Sequence, residues 1–280
     1  MRRTCIGFGL LTLVCTSALA QGTLQVPAGQ TQIIDPTYLP LLLDELIMED
    51  SSVIRVEGVP EWRVQIARLK IGRNARIDIR GSSGQDASQV RVDNGNTANY
   101  CDNGSDWASP SGGAGAPGYT GPDLIILAGI ETIGDLTIDR QAGGGGKGGP
   151  GGKGEKGGQA RCYCSAGGGA KGGSGGDGGP GGRLPKVEIY WYPLGPGSPP
   201  SPNAGLRIVG NPGRGGQPGA GGPGGDGGDG ACGRGAAGPG WPGDPGVTGR
   251  DGANQDWSII KIPHESLGGI SLVLGFNREQ

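Results

Sequence analysis

Aliphatic and polar residues alternate along this chain in short runs, separated by polar or glycine-bearing turns. The alternation at 53–56, 64–71, 130–133 and 270–274, rich in Ile and Val, predicts half-buried strands. One pattern recurs three times: Ile77 and Ile79, Leu136 and Ile138, and Leu206 and Ile208, each pair followed five residues later by Gly84, Gly143 or Gly213. Each is followed by a long stretch poor in large apolar residues. Each stretch closes on a second apolar run: 124–127, 187–191 and 257–262. The intervening lobes, 82–122, 142–184 and 210–254, hold 41, 43 and 45 residues, near enough in length to predict three equivalent excursions. The segment 38–50, with Leu41, Leu42, Leu43, Leu46 and Ile47 beside Asp44, Glu45 and Glu49, reads as a short helix capping one end of the strand stack.

The expected class is mainly β: a parallel β-solenoid-like core, in which each rung buries its aliphatics against the next, carrying three long Gly-rich lobes. A sandwich is the other architecture these strands permit. The lobes have a period of their own. From 145 to 159, and again from 172 to 183, the chain runs mostly as Gly-Gly-X. Period three is that of the polyproline-II helix, with about 3.1 Å rise per residue, so the lobes are expected to form a polyglycine/polyproline-II bundle. Two bare positions per turn let neighbouring helices approach until N–H and Cα–H groups meet carbonyls, and the third side chain projects outward. In the first lobe 88–102 lacks the period and is expected to be irregular.

Composition sharpens this picture: 65 of 280 residues are Gly and 22 are Pro, far above the ordinary glycine usage of about 7%. On the Gly-Gly-X runs, the chain resembles the glycine-rich, collagen-like class of bacterial secreted proteins. It also resembles the polyglycine-II bundles of springtail antifreeze protein and of certain phage tail-fibre adhesins. The best match lies over 143–183 and 213–233. The Gly-X-Y stretch 240–252 fits the collagen pattern but is too short to hold a triple helix by itself.

The ends bear on location. Arg2 and Arg3, an apolar run from Ile6 to Val14 and the small residues Ser17, Ala18 and Ala20 form the pattern of a secretory signal peptide over 1–20. A single domain over 21–280 is expected to follow, secreted to the extracellular space or cell surface, with no transmembrane span. Loss of Arg2 and Arg3 takes the formal net charge from -2 to -4, which argues against nucleic acid as a partner. Beyond the signal stand Cys101, Cys162, Cys164 and Cys232, an even number, as two disulfides require. Cys162 and Cys232 each lie 26 residues past the first aliphatic of their repeats, and Cys101 lies 24 past its own. All three lobes therefore place a cysteine near the tip, and the middle lobe has two. Cys101 and Cys232 are expected each to pair with one of Cys162 and Cys164. Position does not decide which.

Little catalytic chemistry is visible. His264, after Pro263, is the one histidine, and no nucleophile triad, nucleotide loop or zinc pattern accompanies it. Asp78, Asp135, Asp139 and Glu188 read as solvated strand-edge carboxylates. The stretches 172–177 and 221–226 begin like a calcium-binding glycine repeat, but Gly179 and Gly228 stand where that repeat needs a large apolar residue. No cofactor or metal is expected. On the strand at 187–191, Trp191 shares a face with Val187 and Ile189, leaving Tyr190 and Tyr192 as an outward pair. Tyr100, Trp107, Tyr163 and Trp241 lie in the lobes as candidate tip contacts. The expected function is a non-catalytic structural or adhesive component of an extracellular matrix, fibre or surface, with self-association or a surface or polysaccharide partner. The alternatives are an ice-binding protein and a carbohydrate-active solenoid enzyme. The Lys, Glu, Asp, Arg and Pro of the ladders count against an ice face.

Overall fold

The computed structural model describes residues 22–36, 41–88, 96–105, 109–195, 201, 203, 205–263 and 266. The predicted strand at 270–274, the signal segment 1–20, Trp107 and His264 lie outside them. The fold is mainly β with almost no helix. The strands are β1 (Thr23–Val26), β2 (Thr31–Ile34), β3 (Leu41–Met48), β4 (Val53–Val56), β5 (Glu61–Ile71), β6 (Ala75–Asp78), β7 (Asp123–Ile133), β8 (Leu136–Asp139), β9 (Val187–Pro193), β10 (Leu206–Val209) and β11 (Trp257–Lys261).

They form two parallel sheets. The odd-numbered strands make a six-stranded sheet in the order β1-β3-β5-β7-β9-β11, and the even-numbered ones a five-stranded sheet in the order β10-β8-β6-β4-β2. The chain thus passes from one sheet to the other and back, adding one strand to each. Register puts like on like: Leu41, Val64, Ile126, Ile189 and Ile259 align across the larger sheet. Ile54, Ile77, Ile138 and Ile208 align across the smaller one. Side chains from both sheets, including Ile34, Ile54, Ile77, Leu46, Trp62 and Ile66, meet in one buried cluster, the main apolar core.

Three readings are corrected. The segment expected as a capping helix forms strand β3 over Leu41–Met48. Its burial alternates because Leu43, Leu46 and Met48 enter the core between β1 and β5. Tertiary pairing outweighed the helical spacing of its leucines. Tyr192 is only 8% exposed and Tyr190 is half-buried, because the outer face of this sheet carries a second apolar cluster with Ile125, Leu127 and Ile262. Asp78 is buried, not solvated. Its carboxylate bonds Arg80 Nε at 2.8 Å and Arg80 Nη2 at 2.7 Å, and Arg55 Nε stands 3.3 Å away.

Each lobe is inserted after an even strand and before the next odd one: between β6 and β7, β8 and β9, and β10 and β11. All three excursions therefore leave the smaller sheet and return to the larger. Arg140, just past β8, fastens this junction. It is buried, and its Nη1 donates to the carbonyls of Pro185 at 3.0 Å and Gln255 at 2.8 Å. Desolvation lowers its pKa, an effect partly offset by Asp256.

Candidate functional site

Each lobe goes out along one leg and returns along another: 81–88 and 109–121, 142–160 and 167–184, and 211–230 and 236–253. Hydrogen bonds recur at every third residue between legs. On the outward side, Gly81 and Gly84 donate to the carbonyls of Gln141 and Gly144, at 2.9 and 2.8 Å. Gly145, Gly148, Gly151, Gly154 and Gly157 donate in turn to Arg214, Gln217, Ala220, Pro223 and Asp226. On the return side, Gly172, Gly175 and Gly178 donate to Trp241, Asp244 and Val247. The two layers are joined by antiparallel ladders: Gly173, Gly176 and Gly179 donate to Gly152, Gly149 and Gly146, and Gly216, Gly219 and Gly222 to Gly179, Gly176 and Gly173. The described part of 88–102 joins in as well, with Ala98 donating to Lys156 and Cys101 to Gln159.

Glycine serves close approach here, not unusual turns. Among the described glycines only Gly29, Gly58, Gly210 and Gly233 have positive φ, and none lies inside a Gly-Gly-X run. A Cβ on Gly148 would stand on the carbonyl of Gly176, and one on Gly175 on that of Gly219, far inside van der Waals contact. The Cα–H groups at these positions point at neighbouring carbonyls, the geometry of weak Cα–H···O bonds.

Several third positions of the triplets carry charge and pair between lobes. Lys153 Nζ lies 2.7 Å from Asp226, Lys156 Nζ 2.9 Å from Asp229, and Lys171 Nζ 2.7 Å from Asp244. Hydrogen bonds from the lysines, helped by their charge, hold Asp226 and Asp229 below the ordinary carboxylate range. These pairs were not anticipated, yet their signal was present. The repeats beginning at Leu136 and Leu206 are offset by 70, and every pair spans 73, one triplet more. The two calcium-like stretches are likewise engaged, since Asp226 meets Lys153 and Asp177 accepts from the Val247 N–H at 2.7 Å. Among the described residues no cluster of three His, Cys, Asp or Glu could hold a metal.

At the tips, Cys101 is joined to Cys164 and Cys162 to Cys232, so the middle lobe is tied to both neighbours. This is one of the two pairings that cysteine position left open. Cys101 and Cys232 both adopt positive φ at the tip turns. The Arg161 guanidinium lies 3.7 Å from the ring centroid of Tyr100, and its Nη1 is 3.5 Å from the Tyr163 hydroxyl. The hydrogen bond to Tyr163 raises its pKa against the effect of desolvation. Arg234 reaches across to the Cys162 carbonyl and Ser165 Oγ, at 3.4 and 3.3 Å. Tyr163 is 74% exposed and Tyr100 largely so. Trp241, 80% exposed, sits on the return leg of the third lobe, where its carbonyl accepts from Gly172, and not among the tip residues. Arg161 and Arg234 went unremarked in the sequence because nothing in their spacing distinguishes them from other surface arginines.

No family model and no curated protein matches this chain. Among solved structures it shows a likeness to the nine polyproline type II helical bundle springtail antifreeze protein from Granisotoma rainieri. The identity is 24%, covering 61% of this chain and 94% of that one, with a TM-score of 0.09. At that score no argument rests on the likeness. Two disulfides, and the lack among the described residues of any helix long and apolar enough to cross a membrane, are compatible with an extracellular protein.

Proposed function

We propose that this protein is a secreted, non-catalytic structural or adhesive component. In this reading a parallel β-solenoid is the base, and the three lobes form a disulfide-tethered polyglycine-II bundle presented as a rigid slab. The observation that carries it is the ladder of inter-leg hydrogen bonds at every third residue, running from lobe one to lobe three. Such a ladder replaces an apolar core with backbone pairing and leaves the larger polar side chains of the legs, such as Lys147, Lys171 and Asp177, exposed. That suits a slab that meets a surface, a polysaccharide or another chain over a wide area. Glu45 and Glu131, beside a cavity of about 690 Å³, are both engaged by Lys70, at 3.0 and 3.6 Å, and Arg68 lies 3.2 Å from Glu131.

Electron microscopy of the purified protein, with co-sedimentation against insoluble polysaccharides, tests this reading. Filaments, sheets or retention on polysaccharide are expected. A monodisperse protein that stays in the supernatant and depolymerises a polysaccharide would overturn it.

A further inference from the structure

The interior legs direct their N–H groups two ways, and the third lobe leaves one of those ways open. In the outward leg of lobe two, Gly151, Gly154 and Gly157 donate to lobe three. The residues 70 further on, Gly221, Gly224 and Gly227, occupy the same slots in lobe three. Their Cα positions face Gly243, Gly240 and Ala237, just as Gly151 and Gly154 face Gly173 and Ala170. Their N–H groups therefore point to where the outward leg of a fourth lobe would stand, and among the described residues they make no hydrogen bond. The return leg supplies the other half. In lobe two the carbonyls of Gly173, Gly176 and Gly179 accept from lobe three, whereas the equivalent carbonyls of Gly243, Gly246 and Gly249 accept nothing among the described residues.

The second layer is closed over its outer half. Gly169, Gly172 and Gly175 donate to the return leg of lobe three, but their equivalents there are Pro239, Pro242 and Pro245, all exposed. Proline has no N–H to offer and its ring covers the slot, the device by which sheet edges are blunted against addition. Near the base, the slot's first donor, Gly215, is taken by Asp251 Oδ1 at 2.8 Å, and the next position is Pro218. The open groove is thus one leg wide and confined to the outer half of the lobe.

We propose that this groove binds a single glycine-every-third strand, a Gly-X-Y or polyglycine segment of another protein. This names the partner of the adhesive slab and rests on the bundle reading above. The bound strand accepts hydrogen bonds from Gly221, Gly224 and Gly227 through one carbonyl per triplet. It donates its glycine N–H groups to Gly243 and Gly246. Glycine is required at the position facing the groove, because a Cβ there would meet carbonyls as it would at Gly146. A second copy of this protein fits poorly, since it would bring two layers and one would meet the prolines. The mode is edge augmentation carried out with three-fold helices in place of strands.

The probe is a blocked 15-residue peptide of five Pro-Gly-Ser triplets, titrated into the intact, oxidised, isotope-labelled protein while amide exchange is followed by NMR. Gly148 and Gly151 serve as internal references. The expected result is slow exchange at the references throughout. At saturating peptide, exchange at Gly221, Gly224 and Gly227 should slow at least tenfold, with no change when sarcosine replaces each peptide glycine. Unchanged exchange at the three amides, with the references protected, overturns the docking proposal and leaves the bundle standing. So does protection already present without peptide together with a doubled sedimentation mass, which would assign the groove to a second copy. Fast exchange at Gly148 and Gly151 removes the bundle and the groove together.

Discussion

A single atom separates tolerated from damaging changes in the lobes. Gly148→Val and Gly175→Val each drive a side chain into a backbone carbonyl that has nowhere to move, since its own leg is held on other sides. The cost should reach at least the ~1–3 kcal/mol of ordinary overpacking. Lys147→Ala and Ser174→Ala change outward positions and should shift thermal unfolding little. Equal tolerance at both kinds of site, measured by melting, would show that the period has no structural meaning. Asp78 offers a second test. Burial raises its pKa, but hydrogen bonds from Arg80, helped by the charge of Arg55, outweigh that and leave it lowered. With the folded value below the unfolded one, its stabilisation is fully present above about pH 4 and is lost as pH falls through the folded value. Asp78→Asn should cost about 1–3 kcal/mol at neutral pH. It should also flatten the dependence of stability on pH below 4. An unchanged acid profile in the variant would remove Asp78 from this account.

At the level of elements, the core and the lobes rest on different forces. Ile77 and Ile138 pair in register at the centre of the smaller sheet and are buried, so Ile138→Ala should cost about 2–5 kcal/mol. The lobes have little apolar burial, and the two bridges matter more there. They span 63 and 70 residues, and each is worth about 4 kcal/mol in the chain-entropy model. Reduction should therefore raise exchange and proteolysis at the tips before the sheets are affected, as limited digestion with mass mapping would reveal. Much of this was legible. Period two marked the strands at 53–56 and 64–71, period three marked the legs, and the equal distances to Cys162 and Cys232 indicated tips lying side by side. What the sequence concealed was long-range. The leucines of 41–48 fit a helix as well as a strand until β1 and β5 flank them. Tyr192 looked outward until Ile125 and Ile262 covered it. The Lys–Asp pairs needed the lobe offset, which is visible only after the legs are laid beside one another.

As a whole, the molecule joins an apolar base to a slab held by backbone pairing, and its outer surfaces are mixed in chemistry. Rows that include Lys153, Pro150, Asp226, Arg250 and Trp241 are not uniformly small or hydroxyl-bearing, so the pure protein should show no thermal hysteresis. A clear hysteresis gap would favour ice binding over adhesion. The proposed adhesive role depends on the lobes being ordered by inter-leg hydrogen bonds. Scalar couplings across those bonds detect them directly in the isotope-labelled protein. The account predicts couplings from the Gly145, Gly148 and Gly151 amide nitrogens to the carbonyl carbons of Arg214, Gln217 and Ala220, with backbone shifts matching φ near about -75° and ψ near about +145°. Absent couplings with random-coil shifts through 143–183 would contradict it.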